Sequence, residues 1–351
     1  MPVRKLPATD ALGQLADFDA IIDARSESEY TLDHLPGAVN WPTMDNEERA
    51  EIGTLYRDQP FEAKKRGAVI AARNIAAHIE REALDKPREW RPLVYCWRGG
   101  NRSGALATIL GAIGFHVTLI EGGYKAWRAA LVEDLPRLAT RLSYRVICGP
   151  TGSGKTRLLH ALAAEGAQVL DLEGIACHRS SVLGHIPGQP QPSQKRFDSL
   201  IWEHLQQFDP ARPVFIESES KKVGNLRVPD ALIDAMRASP CIDLQLADAE
   251  RVALLLEDYD FFVRDSEHFC SRLKALTELR GHAVVDGWIA QVRAGQTPEV
   301  VHALLSQHYD PTYAASIRRN FTQYADARPL VLADRSPDSL TAAARQLLAE
   351  G

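Results

Sequence analysis

The chain has 351 residues, a formal net charge of −5, and 45% hydrophobic and 25% charged residues, which is ordinary for a soluble globular protein. No apolar run approaches the roughly 20 residues that a membrane-spanning helix needs, and the first residues lack the apolar core of a signal peptide. The five cysteines are scattered without a CxxC pair. We therefore expect a cytoplasmic protein of two domains with reduced thiols and no membrane partner.

The first third of the chain alternates between strand and helix patterns. Short apolar runs predict strands at 20–25, 93–95 and 117–120, and helical periodicity covers 103–113 before Gly114. Strands that alternate with helices are typical of a parallel sheet, and the reactive loops of such sheets lie at the carboxyl ends of the strands. Cys96 lies at such an end.

A glycine-rich loop follows this cysteine and closes with an arginine. Its residues are Cys96, Trp97, Arg98, Gly99, Gly100, Asn101, Arg102 and Ser103. Backbone N–H groups in such a loop point inward and hold an oxyanion, and the arginine favours the reactive thiolate. The loop therefore predicts a nucleophile in an anion cradle. The alternative is a buried apolar cysteine beside a turn.

Trp97, the next residue, also has two interpretations. Its ring could stack on a base or on a prenyl chain of the substrate, or it could pack within the protein.

A second βα alternation begins after a predicted linker at 134–143, so we divide the chain into domains 1–138 and 139–351. The predicted strands of the second domain are 144–148, 168–171, 213–216, 241–246 and 329–333. The stretch from about 248 to 325 is predicted to be mainly helical. The fold class is α/β, with an N-terminal parallel-sheet domain and a C-terminal α/β domain that carries a helical extension.

The second domain opens with a phosphate-binding loop. Residues 149–156 fit the pattern G-x-x-x-x-G-K-[ST] and lie between a strand and a helix, as that motif requires. The residues expected to cradle phosphates are Gly149, Thr151, Gly152, Ser153, Gly154, Lys155 and Thr156. Backbone N–H groups and the helix N-terminus would hold the phosphates, and Lys155 would reach the terminal one.

Acidic residues follow two later strands of this domain. Asp171 and Glu173 follow the strand at 168–171 and are candidates for a base or a Mg²⁺ contact, although helix capping explains them equally well. Glu217 and Glu219 end a strand that resembles a Walker B strand without its usual aspartate, and they are candidates for acid–base chemistry or for a position near a metal. We predict no dedicated metal ligand from the sequence, and the need for Mg²⁺ stays open.

The first 130 or so residues resemble a rhodanese domain. The residues that carry the resemblance are Ile21–Ser26, Glu29, Tyr30, His34–Asn40 and Glu121–Trp127, and the resemblance makes His34 a structural residue. Rhodaneses carry sulfur on the loop cysteine, here Cys96. Five residues separate Cys96 from Arg102 where rhodaneses usually have four, as in cysteine-dependent phosphatases. The wider pocket argues against a plain thiosulfate sulfurtransferase.

The two loops together resemble the bacterial tRNA 2-selenouridine synthases, in which a rhodanese domain precedes a P-loop domain. The resemblance covers essentially the whole chain. It implies that the wobble 2-thiouridine of tRNAs for Lys, Glu and Gln becomes 2-selenouridine, with selenophosphate as donor and an S-geranyl intermediate made from geranyl diphosphate. It also implies that Cys96 carries selenium while Gly99, Gly100 and Arg102 bind the phosphate part. Selenophosphate synthetase is a further candidate partner.

Two other functions fit the same motifs. A nucleotide-dependent kinase or ATPase with a rhodanese sulfurtransferase module would turn over ATP without tRNA. A phosphatase-like enzyme would use the Cys-x₅-Arg spacing, but no aspartate general acid follows Arg102 within its loop.

Overall fold

A computed structural model describes residues 2–181 and 183–350, which form two compact units. The first unit comprises the described residues up to Leu135 together with Pro192–Glu203. The second comprises Pro136–Gln191 and the described residues from His204 onward. None of the described helices is both long enough and apolar enough to span a bilayer.

The first unit is a five-stranded parallel sheet with helices around it. Its strands are β1 (Arg4–Leu6), β2 (Ala20–Asp23), β3 (Ala38–Asn40), β4 (Pro92–Tyr95) and β5 (Thr118–Ile120), in the order β1-β5-β4-β2-β3. Its helices are α1 (Ala8–Gln14), α2 (Glu27–Leu32), α3 (Asn46–Asp58), α4 (Pro60–Glu82), α5 (Asn101–Ile113) and α6 (Gly123–Arg141). The strands predicted at 20–25, 93–95 and 117–120 are confirmed. The sequence analysis did not predict strands β1 and β3 or the helices α3 and α4.

The second unit is also built on a parallel sheet, in the order β12-β11-β6-β8-β7. Its strands are β6 (Tyr144–Cys148), β7 (Gln168–Leu170), β8 (Val214–Glu217), β9 (Lys222–Val223), β10 (Leu226–Arg227), β11 (Cys241–Gln245) and β12 (Arg328–Val331), of which β9 and β10 form a separate antiparallel ribbon. Its helices are α7 (Lys155–Ala164), α8 (Leu172–Ala176), α10 (Asp230–Arg237), α11 (Asp248–Asp258), α12 (Asp260–Arg264), α13 (Ser266–Leu273), α14 (Thr277–Arg280), α15 (His282–Arg293), α16 (Thr297–Leu304), α17 (Asp310–Asn320) and α18 (Pro337–Ala349). Helix α9 (Gln194–Gln207) belongs to the first unit up to Glu203 and to the second unit from His204. The five predicted strands and the helical region are confirmed, and so is the fold class.

The predicted linker at 134–143 is wrong, because α6 continues through Pro136 to Arg141. An interior proline costs a helix about 3 kcal/mol. Leu131, Leu135 and Leu138 are nearly inaccessible to solvent, and each buried leucine contributes about 1.5–3 kcal/mol. The free energy gained by burying these leucines therefore exceeds the cost of the proline. Turn-forming residues in the sequence do not reveal this burial, and for that reason the linker prediction failed.

Residues 192–203, which we call the strap, fold with the first unit although they lie far along the chain. Ser199 donates a hydrogen bond to Asp33 over 3.0 Å. The indole N–H of Trp202 donates to Asp134 over 3.0 Å, and its ring packs edge-on against Trp127 with centroids 6.0 Å apart. The strap thus satisfies buried polar groups and covers a buried tryptophan of the first unit.

We expect Trp202→Ala to lower the free energy of unfolding of the full chain by about 3–5 kcal/mol, as for other buried tryptophans. Trp202 is 2% exposed and loses both its packing and its hydrogen bond in this variant. Urea denaturation measures the change. Gln207→Ala, an exposed position on the same helix, is the control. Equal stability of the two variants would contradict a structural role for the strap.

Candidate functional site

Cys96 directly follows β4, at the carboxyl end of the first sheet, as the sequence predicts. Its side chain is 3% exposed, and the hydroxyl of Ser103 lies 3.1 Å from its sulfur as a hydrogen-bond donor. Ser103 is fully buried on the first turn of α5. The contacts of Cys96 are with this hydroxyl and with the apolar core cluster of the first unit.

Glycines allow the loop to pack directly against the start of α6. Gly123 has φ +61°, and a Cβ there would lie 2.3 Å from the carbonyl oxygen of Cys96 and 2.4 Å from the nitrogen of Gly99. Gly99 itself has φ +65°. The Tyr124 N–H donates to the Cys96 carbonyl over 2.8 Å. Side chains at these glycines would push the loop off α6, so its shape depends on them.

Arg102 is paired with a carboxylate. Its guanidinium donates to both oxygens of Glu29, over 2.5 and 3.2 Å. Burial tends to raise the pKa of Glu29, but the hydrogen bond and the charge of Arg102 outweigh burial and lower it. The charge of Arg102 is therefore already paired with a carboxylate in the absence of a phosphate. Of the other loop residues, Arg98, Gly100 and Asn101 are exposed to solvent.

Trp97 and His34 have the contacts of structural residues. The Trp97 ring stacks on Tyr124 with centroids 5.4 Å apart, and the ammonium of Lys195 lies 5.6 Å from its centroid. The Nδ1 atom of His34 lies 2.9 Å from the Tyr30 carbonyl oxygen, and the two rings stack at 4.0 Å. Burial is the main reason that the pKa of His34 is lowered. Of the two interpretations of Trp97, these contacts favour packing.

The phosphate loop of the second unit lies between β6 and α7, which begins at Lys155. Its glycines have left-handed conformations, with φ +78° at Gly152 and +89° at Gly154. The Lys155 ammonium lies 2.9 Å from the Gly149 carbonyl oxygen. The Ser153 hydroxyl is buried and has no hydrogen-bond partner among the described residues. The Ser153 hydroxyl is therefore a donor that the loop itself does not use.

Arg251, on α11, fixes this loop, and no motif in the sequence predicts this contact. Its guanidinium donates to the Thr151 carbonyl oxygen over 2.8 and 3.0 Å and pairs with Asp310 over 2.6 Å. The side chain is 5% exposed. Its buried charge is thus satisfied within the protein, and Arg251 positions the loop rather than binding substrate.

Three carboxylates meet beside the phosphate loop. Oxygen atoms of Glu173, Glu217 and Glu219 all lie within 4.8 Å of one another, and the Thr156 hydroxyl lies 3.5 Å from Glu173. Burial, and next the charge of Glu173, raises the pKa of Glu217 well above its usual value and that of Glu219 to about 8. One oxygen of Glu217 has no partner among the described residues. Such a cluster needs protons or a cation to remain buried.

Asp171 has the alternative role that the sequence left open. It caps α8 by accepting a hydrogen bond from the Gly174 N–H over 2.8 Å, and it lies 3.0 Å from His160 Nε2. Asp171 is outside the carboxylate cluster described above. Glu173, two residues later, is the acid that reaches the cluster.

An open cleft of about 370 Å³ connects these groups. It is lined by residues of the phosphate loop, by the three glutamates, by Arg179, Ser180 and Arg237, and by Tyr259, Tyr309, Tyr313 and Phe321. Arg179 lies 4.6 Å from the ring centroid of Tyr259 and 3.6 Å from Asp258. The Nε atom of Arg237 is buried without a partner among the described residues. The cleft therefore offers cations, carboxylates and aromatic rings to a phosphorylated ligand.

An apolar pocket adjoins this cleft, and the sequence analysis missed it. Thr151, Ser181, Leu255, Tyr259 and Tyr309 line both spaces. The remaining lining residues are mainly apolar and include Leu183, Leu256, Phe262, Val263, Phe269, Val301, Leu304 and Leu305. Their spacing along helices is the same as that of core residues. Only the packing of α11, α12, α13 and α16 shows that the apolar side chains leave a space.

Comparison with protein families matches both units. Residues 8–130 match the model of the rhodanese-like domain, and residues 142–283 match the tRNA 2-selenouridine synthase AAA domain. The strap lies within the second match but folds with the first unit. The match to the AAA domain ends inside α15, so much of the helical region lies beyond it.

The relatives found by sequence comparison are proteins named tRNA 2-selenouridine synthase. The Nitrosomonas europaea protein is 38% identical over 244 residues, which are 68% of this chain and 63% of that relative. The Shewanella pealeana protein is 32% identical, over 74% of this chain and 71% of the relative. The Alcanivorax borkumensis protein is 29% identical, over 88% and 92%. The chain thus spans under two thirds of the first relative and nearly all of the last.

Proposed function

Since the chain belongs to the tRNA 2-selenouridine synthase family, we propose that it converts wobble 2-thiouridine to 2-selenouridine in tRNAs for Lys, Glu and Gln. The selenium comes from selenophosphate, which a selenophosphate synthetase supplies in the cytoplasm. The reaction passes through S-geranyl-2-thiouridine, made from geranyl diphosphate. The observation that carries the geranyl step is the apolar pocket that adjoins the phosphate cleft.

Geranyl diphosphate has an apolar chain at one end and a diphosphate at the other, and the second unit offers a space for each. The phosphate loop would bind the diphosphate through backbone N–H groups and Lys155. The pocket lined by Leu255, Tyr259 and Phe262 would take the geranyl chain. The thiocarbonyl sulfur then forms a bond to the first carbon of the chain. The diphosphate departs with the electron pair of the broken C–O bond, and the uridine loses its N3 proton.

A divalent cation fits the carboxylate cluster. Glu173, Glu217 and Glu219 would hold it together with the Thr156 hydroxyl, and carboxylate oxygens suit Mg²⁺. The unpartnered oxygen of Glu217 supports this assignment because a buried carboxylate oxygen without a partner is costly. When bound, the cation would neutralise charge on the leaving diphosphate. Of the two acids that the sequence offered for a Mg²⁺ contact after the strand at 168–171, this proposal uses Glu173.

We expect Glu217→Gln to abolish stabilisation of the full chain by Mg²⁺ and to lower the rate of geranyl transfer at least about tenfold. Without added cation, the same variant should be at least as stable as the wild type, because it removes one of three adjacent carboxylates, two of which are buried. Thermal denaturation without Mg²⁺ and with Mg²⁺ in roughly hundredfold excess over its Kd measures both effects. Glu278→Gln, an exposed position on α14, is the control. Equal stabilisation of the two variants by Mg²⁺ would show that the cation does not bind to this cluster.

The selenium step is proposed for the first unit. Alkylation converts the thiocarbonyl into a thioether-like centre from which geranyl thiolate can depart. The Cys96 thiolate would attack the phosphorus of selenophosphate, so that an S–P bond forms while the Se–P bond breaks and its electron pair leaves on selenide. Selenide then attacks C2 of the base, geranyl thiolate departs with the electron pair of the C–S bond, and water hydrolyses the S–P bond to give phosphate. Cys96 is proposed for this role because its sulfur accepts a hydrogen bond from Ser103 within a loop shaped to hold an anion.

The direct test incubates the protein with tRNA that carries 2-thiouridine, and analyses the digested nucleosides by mass spectrometry. With geranyl diphosphate alone we expect geranylated thiouridine, and with selenophosphate added we expect selenouridine. Turnover of ATP in the absence of tRNA, with no modified nucleoside, would favour the kinase or ATPase alternative instead. Hydrolysis of a generic phosphate monoester would favour the phosphatase alternative.

A further inference from the structure

We propose that Lys195, on the strap, is an anion-binding residue of the Cys96 loop and receives a small phosphate-type anion there. The proposal relies on the proposed function only for the identity of that anion, selenophosphate. The strap lies within the match to the AAA domain, so a division of the chain by sequence places Lys195 with the wrong unit.

The backbone of Lys195 is held firmly on the first unit. The guanidinium of Arg128 donates to the Lys195 carbonyl oxygen over 3.1 Å and also pairs with Asp198. Ser199 donates to the buried Asp33, and Phe197 and Trp202 are buried. Contacts on both sides of Lys195 therefore fix the direction from which its side chain reaches the loop.

The side chain extends from the strap to the loop that begins at Cys96. Its ammonium lies 5.6 Å from the ring centroid of Trp97, the residue directly after the nucleophile. Trp97 is itself held by Tyr124, through ring stacking, and by the N–H of Lys125, which donates to its carbonyl oxygen over 3.0 Å. The cation is thus held against the ring of Trp97, one residue along the chain from the nucleophile, by two ordered elements.

The charge of Lys195 is available, whereas that of Arg102 is not. Within the described parts of the chain, no carboxylate lies within ion-pair distance of Lys195, and its side chain is exposed. The guanidinium of Arg102 is neutralised by Glu29 at 2.5 Å. Lys195 therefore offers an incoming anion a charge that no carboxylate of the described residues neutralises. An unpaired cation beside a cradle of backbone N–H groups raises both the local concentration and the affinity of an anion.

The test measures binding of inorganic thiophosphate, a stable analogue of the proposed donor, to the full chain by isothermal titration calorimetry. We expect Lys195→Met and Lys195→Gln each to weaken binding about tenfold, the size of one charge-assisted hydrogen bond. Lys195→Arg should stay within about threefold of the wild type because the charge is kept. Lys64→Met, at an exposed lysine on α4, is the control and should bind like the wild type.

Binding of tRNA to the same variants shows whether Lys195 binds a small phosphate-type anion or the phosphate backbone of RNA. Loss of tRNA affinity with unchanged thiophosphate affinity would overturn the proposal and assign Lys195 to the RNA backbone. Equal thiophosphate binding by Lys195→Met and Lys64→Met would overturn it as well, as would a wild-type protein that does not bind thiophosphate. Thiophosphate binding that depends on Lys195, in a protein that never modifies tRNA, would support this inference and reject the proposed function.

Discussion

Cys96→Ala is expected to abolish the formation of 2-selenouridine, with a loss of at least about 10³-fold, as when a covalent nucleophile is removed. The same variant should still geranylate tRNA, because a thiolate is not needed to ionise an allylic diphosphate. Geranylated thiouridine should therefore accumulate. Mass spectrometry of the nucleosides measures both products in one digest.

The structure indicates that this variant keeps its fold, since alanine fits the space of a side chain that packs beside Ser103 and α5. Cys177→Ala, at a half-buried cysteine of the second unit, is the matched control and should make selenouridine normally. Ser103→Ala should reduce the rate of the selenium step by about 10–100-fold, because one hydrogen bond to the thiolate is lost. Full selenouridine formation by Cys96→Ala would show that the reaction does not need this cysteine.

Lys155→Ala is expected to lower geranyl transfer by about 10²–10³-fold, the usual effect of losing one charge-stabilising donor in the transition state. The ammonium lies 2.9 Å from the Gly149 carbonyl oxygen, so it is already directed at the loop that would bind the diphosphate. Unmodified thiouridine should accumulate in this variant. Rates at saturating geranyl diphosphate separate the loss of chemistry from the loss of binding.

Lys274→Ala, at an exposed lysine in the helical region of the same unit, is the control for the change in charge. Pre-geranylated tRNA supplied to Lys155→Ala should still become selenouridine, because the selenium step is assigned to the first unit. Unchanged geranyl transfer at saturating donor would place the diphosphate elsewhere. Loss of both geranyl transfer and selenouridine formation in Cys96→Ala and in Lys155→Ala would show that the two loops do not catalyse separate steps.

The sequence alone determined the two loops and their places on the fold. Cys96 and Lys155 each lie where a predicted strand gives way to a predicted helix, and the structure confirms both the strands and the helices. Such local order can be predicted because glycine positions, strand propensity and helical periodicity depend on neighbours along the chain. The resemblance to the family follows from the same local motifs.

Tertiary structure alone decided which distant residues complete each loop. Glu29 neutralises Arg102, Arg251 fixes the phosphate loop, and Glu173 joins Glu217. These contacts join residues far apart in sequence, and an acid that caps a helix looks the same in the sequence as one that lines a cleft. Asp171 and Glu173 show this, because they lie two positions apart and have these two different roles.

Tertiary structure also decided the form of the junction between the units and the place of the strap. Pro136 and the polar residues around it predict a linker, but burial of the leucines beside it keeps the helix continuous. The strap carries no local signal that it belongs to the first unit, because its apolar side chains would suit any core. Burial of Trp202 against Trp127 and the bond from Ser199 to Asp33 decide its place, since only the folded chain brings these partners together.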